Sequence, residues 1–347
     1  MDIAIIAPAW VPVPAPAYGG TEAVLDELAR GLQAAGHQVL LVCHPDSECP
    51  VPKVSVVPAE DAAVRMGRAN IELEHAIGAY ELVKDFDVVH DNTLAGPIYS
   101  ARYPNLPVVT TNHNPFNRTY NAVYGAVVPR VALVAISHSH AASTHLQVDA
   151  VVHHGIDVDD YPFGAGDGGY VALLGRMAEN KGVHRAIAVA KAVGIKLKIA
   201  AKMREPREHA YFDEFVRPHL GEDVVFLGEV DAEGKRRLLA SAAALLNPIS
   251  WREPFGMAML EALACGTPVV GCPQGAAPEI VENGLTGFLG DTDAELINGL
   301  RSLGQIDRLV CREEARRRFS VERMVEGYVQ VYERQRSRYV AAAAASS

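Results

Sequence analysis

The sequence predicts an α/β protein of two doubly wound, parallel-sheet domains, and three observations predict it. Short apolar runs of strand length alternate with segments of helical period through both halves of the chain, the pattern of a parallel sheet covered by helices. The 347 residues exceed what one hydrophobic core usually holds, so two domains are expected. Between the halves, Gly164-Ala165-Gly166-Asp167-Gly168-Gly169 reads as a flexible linker.

The first half opens on a strand at 3–7, followed by a proline-rich loop at 8–18 that ends in Gly19-Gly20. Thr21 is suited to cap the next helix, whose apolar positions Val24, Leu25, Leu28, Ala29 and Leu32 recur at helical spacing and stop at Gly36. Strands follow at 39–43, 88–90, 108–111, 133–136 and 150–152, with a helix carrying Ile71, His75, Ile77 and Leu82 before the second of these, and Ser137 placed to cap another. The second half starts afresh with strands at 170–174, 196–200, 242–246, 267–271 and 287–289, and with helices to about 193 and over 256–265. A last helix is expected over 321–334, and the low-complexity tail 341–347 is expected to be disordered at its end.

Sheets of this kind bind ligands beyond the carboxyl ends of their strands, so the loops there hold the candidate residues. The richest is 247–266. Glu253 stands in the loop, Phe255-Gly256-Met257 supply the free N–H groups of a helix start, and Glu261 lies within the helix among apolar neighbours. Those amides and the helix dipole favour a phosphate. An unpartnered carboxylate at Glu261 costs several kcal/mol as an order of magnitude, so it needs a hydrogen-bonding partner. The set suits a nucleotide sugar: sugar hydroxyls on Glu253, diphosphate on the amides, ribose hydroxyls on Glu261. The plainer alternative is that Glu253 caps the helix and Glu261 meets an arginine or a backbone amide.

Composition limits the partners. A net charge of −10 disfavours nucleic acid. Hydrophobic residues at 49% and a mean hydropathy of +0.05 fit a well-buried α/β protein, and no run approaches a membrane span. Five scattered cysteines without zinc spacing read as reduced thiols, and a cytoplasmic location is expected.

The run Glu253-x-Phe255-Gly256-x-x-x-x-Glu261 resembles the E-x7-E motif of the family 4 retaining glycosyltransferases, and the likeness extends through both halves. It implies the GT-B fold: a Rossmann-like acceptor-side domain over 1–160, a Rossmann-like nucleotide-sugar domain over 165–320 facing it across a cleft, and a terminal helix at 321–340 crossing back. Tyr18-Gly19-Gly20-Thr21-Glu22 is similar to the family's motif at the first helix, where Gly19 and Gly20 let the backbone approach donor phosphates and acceptor. His113, within Thr110-Thr111-Asn112-His113-Asn114, matches a histidine beside the donor sugar, with Asn112 and Asn114 as weaker polar candidates. Gly175-Arg176-x-x-x-x-Lys181-Gly182 matches the G-R-x4-K-G pattern that places two cations on the diphosphate.

His154-Gly155-Ile156-Asp157 followed by Tyr161-Pro162-Phe163 resembles the family's crossing between domains, with His154 in place of the usual Asn, a departure expected to affect the turn and not the chemistry. Domain closure about this crossing would bring donor and acceptor together. Ala201-Lys202-Met203 stands where many members carry a glycine-rich turn. Together with Tyr211-Phe212 and 224–230 it resembles a subgroup containing pterin glucosyltransferases and antibiotic-biosynthesis glycosyltransferases, with Lys202, Gly228 and Val230 on the donor, the last two beside the nucleobase.

The resemblance implies metal-independent transfer of a hexose, with retention, from a nucleoside diphosphate sugar to a hydroxyl of a small-molecule acceptor such as a natural product or pterin. UDP-glucose is the donor of first choice. Asp157-Val158-Asp159 and Asp291-Thr292-Asp293 spell D-x-D but fall in a linker and a polar turn, so no metal and no cofactor is expected. A sugar-nucleotide epimerase and a non-catalytic binding protein of the same fold are the alternatives, and a homodimer is left open. Acceptor selectivity is expected from 8–18 and 116–124.

Overall fold

The computed structural model describes residues 1–17, 19–58 and 66–346. Tyr18, which opens the Gly-Gly motif and closes the proline-rich loop, lies outside the described residues. The chain divides into two units, Met1–Gly155 with Val321–Ser347 in one and Ile156–Ser320 in the other.

The first unit is built on a parallel sheet of β1 (Asp2–Ile6), β2 (Gln38–Val42), β3 (Lys53–Val54), β4 (Val88–Asp91), β5 (Val108–Thr111), β6 (Ala132–Ala135) and β7 (Ala150–Val151). Its order is β3-β2-β1-β4-β5-β6-β7. Every residue of β4, β5 and β6 is buried, and β6 reads as an unbroken apolar run while β4 and β5 end in the buried polar pairs His90-Asp91 and Thr110-Thr111. The order turns back between β1 and β4, the place where such sheets open a crevice at their carboxyl edge.

Helix α1 (Gly20–Ala34) begins one residue before Thr21, with Gly19 at the cap position and no side-chain capping bond, so Thr21 lies inside the first turn and is not the cap. Helix α2 (Ala69–Val83) turns Ile71, His75, Ala76, Ala79, Tyr80 and Val83 inward. Ile77 and Leu82 on the same helix are 44% and 48% exposed, because small Ala76 and Ala79 let the helix settle with His75 and Tyr80 against the sheet. His75 Nε2 meets the carbonyl of Ala7 at 2.9 Å, and the Tyr80 hydroxyl donates to Asp91 at 2.8 Å. Two shorter helices, α3 (Gly96–Tyr99) and α4 (Arg118–Gly125), precede α5 (His138–Ala141), which Ser137 caps as expected by accepting from His140 N–H.

The second unit's sheet contains β8 (Tyr170–Arg176), β9 (Lys196–Lys202), β10 (Val224–Gly228), β11 (Leu245–Asn247), β12 (Val269–Gly271) and β13 (Gly287–Leu289), all parallel, in the order β10-β9-β8-β11-β12-β13. Around it lie α6 (Val183–Val193), α7 (Pro206–Phe215), α8 (Ala232–Ser241), α9 (Met257–Ala264), α10 (Ala277–Ile280), α11 (Asp293–Arg301) and α12 (Arg308–Phe319). Leu173, Ile187, Ile199, Leu246, Val270 and Leu296 meet in one core between strands and helices.

Strands β8 and β9 pair one residue after another through Arg176 and Lys202, so both cations stand on strand ends, beyond the shorter strands read from the sequence. The stretch 164–169 is not a loose tether. Gly164, Gly166 and Gly168 donate their N–H groups to Cys265, Ala240 and Ser241, and Arg308 bonds the carbonyls of Gly164, Ala242 and Ala240. Glycine here lets backbone lie on backbone, and a side chain far along the chain holds it.

The last helix, α13 (Val321–Ser346), is longer than expected and runs into the alanine tail. Alanine has the highest helix propensity, and a helix already docked upstream pays no further nucleation cost. Its Tyr328 and Tyr332 are fully buried on the first sheet. Tyr332 OH lies 2.8 Å from His90 Nδ1, His90 Nε2 lies 2.8 Å from Thr111 Oγ1, and Thr111 in turn meets Tyr328 OH at 3.0 Å. Gln335 donates to the carbonyls of Val108 and Arg130.

Candidate active site

The carboxyl edge of the second sheet gathers most of the residues singled out in the sequence. At its centre Lys181, in the loop between β8 and α6, forms an ion pair with Glu253, from the loop between β11 and α9. Their side chains are 12% and 16% exposed. The Lys181 ammonium also stands 4.9 Å from the centre of the Trp251 ring, a second favourable surface for a cation. The sequence reading assigned the two charges to different parts of a ligand. In the structure they neutralise each other, as two opposite charges in a largely dry loop cluster must.

Glu253 is not the helix cap. Gly256 holds the cap position at φ +107°, a backbone conformation that leaves Met257 to open α9. The Glu253 backbone is clamped from the next loop: its carbonyl accepts from Ala276 N–H at 3.0 Å, and a Cβ on Gly275 would come within 2.2 Å of that oxygen. On the other side Ser250 N–H donates to the carbonyl of Asn180 at 3.0 Å. Three successive carboxyl-edge loops are thereby stitched together by main-chain bonds, and the Glu253 side chain is aimed by its backbone. Phe255 itself is 2% exposed and packs edge-on against Phe319, so only its main chain is available to a ligand.

Arg176 has a partner that sequence reasoning missed. Glu208, 2% exposed, stands 3.7 Å from the guanidinium and accepts the N–H groups of Arg204 and Glu205 at 2.8 and 3.1 Å. Burial works against its charge, but those amides and the cations of Arg176 and Lys202 outweigh it and hold the carboxyl below its ordinary range. The signal was present: Glu205-Pro206-x-Glu208 spells a capping box with proline at the first helical turn, and both capping bonds form.

Glu261 does have the partners its burial demanded, though neither an arginine nor an amide. It is 5% exposed, and its Oε1 accepts from Lys235 Nζ and, at 3.4 Å, from the Tyr161 hydroxyl. Lys235 comes from the first turn of α8, which Asp231 caps by accepting from Gly234 N–H at 2.7 Å. Just before that cap, Gly228 ends β10 at φ +76°, and Val230 packs beside Tyr170, Ala172 and Leu238.

The first unit holds the remaining candidates, Gly19, Gly20 and His113. Gly19 is extended, and its lack of a side chain is a matter of space: a Cβ would lie 2.4 Å from that of Ala15 and 2.7 Å from the Glu22 carboxylate. Gly20 is the first residue of α1. His113 Nε2 meets Asn92 Oδ1 at 2.9 Å, and the His113 ring stacks on that of His154 with centres 5.3 Å apart. His154 thus forms one face of the His113 environment. Burial, with the neighbouring His140, pushes His113 down to about 3, so its imidazole is neutral at physiological pH. Asn112 is fully buried and accepts from Asn114 N–H, a structural bond. Of the D-x-D residues, Asp157 caps a short 3-10 turn, Asp159 pairs with Arg316 and Arg312, and Asp293 pairs with Arg185.

Chemically, the second unit presents cations and helix amides suited to an anion, flanked by two carboxylates suited to hydroxyls. Comparison with known proteins bears on the family and the fold. A family model described as glycosyl transferases group 1 matches residues 168–305, and one described as glycosyltransferase family 4 matches residues 18–160. The chain is 26% identical to a phosphatidyl-myo-inositol mannosyltransferase of Mycobacterium leprae, over 96% of each chain. It is 28% identical to AviGT4, a glycosyltransferase involved in avilamycin A biosynthesis, whose crystal structure superposes with a TM-score of 0.75 over 97% of this chain and 98% of that one. The structure of Anabaena HepE in complex with UDP and glucose shares the fold at 20% identity, with a TM-score of 0.76 over 96% of this chain and 99% of that one. With a family model on each unit and the two-sheet architecture in place, the chain belongs to the family 4 glycosyltransferases of the GT-B fold.

Proposed function

We propose that this glycosyltransferase moves a hexose, with retention and without a metal ion, from a nucleoside diphosphate sugar to a hydroxyl of a small-molecule acceptor. UDP-glucose is the donor to try first. The observation that carries the reading is the convergence of Arg176, Lys181, Glu253 and Glu261 on one sheet edge of the second unit, beside the start of α9. A diphosphate entering there meets Arg176 and the α9 amides and draws Lys181 away from Glu253. Glu253 is then free to accept hydroxyls of the sugar, and Glu261 those of the ribose. As the bond from the anomeric carbon to the diphosphate oxygen breaks, charge grows on the leaving group, where fixed cations and amides stabilise it most. The acceptor oxygen forms the new bond on the same face, and its proton passes to the departing phosphate oxygen. The likeness to the avilamycin glycosyltransferase supports a natural-product acceptor.

A second reading, mannosyl transfer to an inositol-containing lipid, is favoured by the mycobacterial relative, which matches along nearly the whole chain. Incubation of the purified protein with UDP-glucose or GDP-mannose, and with candidate acceptors of both kinds, separates the two. Acceptor-dependent release of UDP with a new glucoside supports the first. Release of GDP with a mannosylated lipid supports the second, and conversion of donor to its epimer without an acceptor overturns both.

A further inference from the structure

We infer that Lys235 is a positioning residue that makes the second carboxylate of the site read a ribose, an inference that rests on the donor-site reading above. Glu261 lies in α9 with 5% of its surface exposed, and both groups that bond it engage the same oxygen, Oε1: the Lys235 ammonium and the Tyr161 hydroxyl. Among the described residues Oε2 has no hydrogen-bond partner. A carboxylate held at one oxygen offers the other in a fixed direction as an acceptor. That is what recognition of a hydroxyl requires, since a site built to bond a hydroxyl discriminates strongly against the analogue lacking it.

Lys235 is placed for this task by its helix. The main chain leaves β10 at Gly228, turns through Val230 and starts α8 at the Asp231 cap, so the lysine belongs to the first turn after the stretch assigned to the nucleobase. Its side chain is 22% exposed, with the ammonium on Glu261. Tyr161 is fixed in turn, its carbonyl accepting from Arg312 at 2.7 Å and its ring covered by the Arg236 guanidinium 5.2 Å from the centroid. The site thus joins three segments, the linker at Tyr161, α8 at Lys235 and α9 at Glu261, around one carboxylate oxygen. If Lys235 only balanced the charge of Glu261, any loss on removing it would fall equally on all nucleotides. If it aims Oε2, the loss falls on those with a complete ribose.

The test is calorimetric titration of the full chain and of the Lys235→Met and Lys235→Arg variants with UDP, 2′-deoxy-UDP, ADP and 2′-deoxy-ADP, with a thermal melt of each protein alone. The expected wild-type result is tighter binding of one ribonucleotide than of its 2′-deoxy form by roughly tenfold or more, the usual worth of a charge-assisted hydrogen bond. Lys235→Met is expected to bring that ratio near one while changing affinity for the deoxy form little, and Lys235→Arg to restore much of it. An unchanged ratio in Lys235→Met, or an equal loss for both sugars, overturns the inference and leaves the donor site standing. Wild-type protein that binds none of the four nucleotides overturns the donor site itself.

Discussion

Lys181 and Glu253, 72 residues apart in the chain, form an ion pair with both side chains mostly buried and the Trp251 ring against the ammonium. Breaking one half of such a pair strands the other charge. Lys181→Met is expected to cost about 2 kcal/mol of stability, below the range for fully buried pairs because some solvent reaches this one. The double variant Lys181→Met with Glu253→Leu should recover most of that stability and none of the activity. Melting curves and turnover of the two variants, measured side by side, check both halves.

Arg176→Ala combined with Lys181→Ala should lower turnover by a factor of about a hundred or more, the usual consequence of losing cations that stabilise a leaving group. The comparison of turnover with donor affinity in this variant identifies the step affected. Unchanged rates would make the two cations structural.

Glu261→Ala should weaken donor binding by about tenfold or more, since each hydrogen bond to a charged group contributes about 1.5–3 kcal/mol. Isothermal titration with the donor nucleotide measures it directly. Wild-type affinity in this variant would remove the ribose role.

Metal independence has a simple check. Activity after exhaustive treatment with EDTA should equal that of untreated enzyme, and added magnesium or manganese should not raise it. A strict requirement for either ion would contradict the assignment of leaving-group charge to Arg176, Lys181 and the helix amides.

Buried and half-buried histidines of the first unit make stability depend on pH. Burial pushes His90 and His113 down to about 3 and His140 to about 4, so the folded chain stays unprotonated where the unfolded chain, near 6.5, takes up protons. Their contribution is therefore fully present above about pH 6.5 and is lost as pH falls through about 4 for His140 and about 3 for His90 and His113. Asp91 acts in the opposite sense, because burial raises it to about 6 and the folded state holds a proton there that the unfolded state releases. Burial lowers His44, His75 and His154 as well, so the histidines outweigh Asp91 and the sign is negative on acidification. Urea denaturation at pH 7.5 and pH 5 should show lower stability at pH 5, and equal stability would show that these rings gain protons without unfolding.

Much of the fold was legible because its signals are local. The run at 242–246 followed by small residues at 256–265 announces strand, loop and helix, and β11 and α9 occupy those positions. Glu261 was legible as a buried carboxylate for the same reason, but its partner was not, since Lys235 reaches it from another helix across tertiary space. The Lys181–Glu253 pair was hidden likewise: each charge could be placed in its own loop, while their meeting depends on β8 and β11 lying side by side. Glycine-rich 164–169 was misread because composition reports the freedom of an isolated chain, and Arg308, 144 residues beyond Gly164, removes that freedom. Residues 341–346 continue the last helix, because low complexity conceals the helix propensity of alanine, while Ser347 lies outside the described residues.

The most direct test of the central claim is calorimetric binding of UDP, GDP, dTDP and ADP, in the absence of metal, to the wild-type chain and to the Arg176→Ala, Glu261→Ala double variant. A donor site at this sheet edge predicts selective binding of one nucleotide by wild type and its loss in the variant with the melting transition retained. Equal binding by the two proteins would place the nucleotide elsewhere and contradict the account.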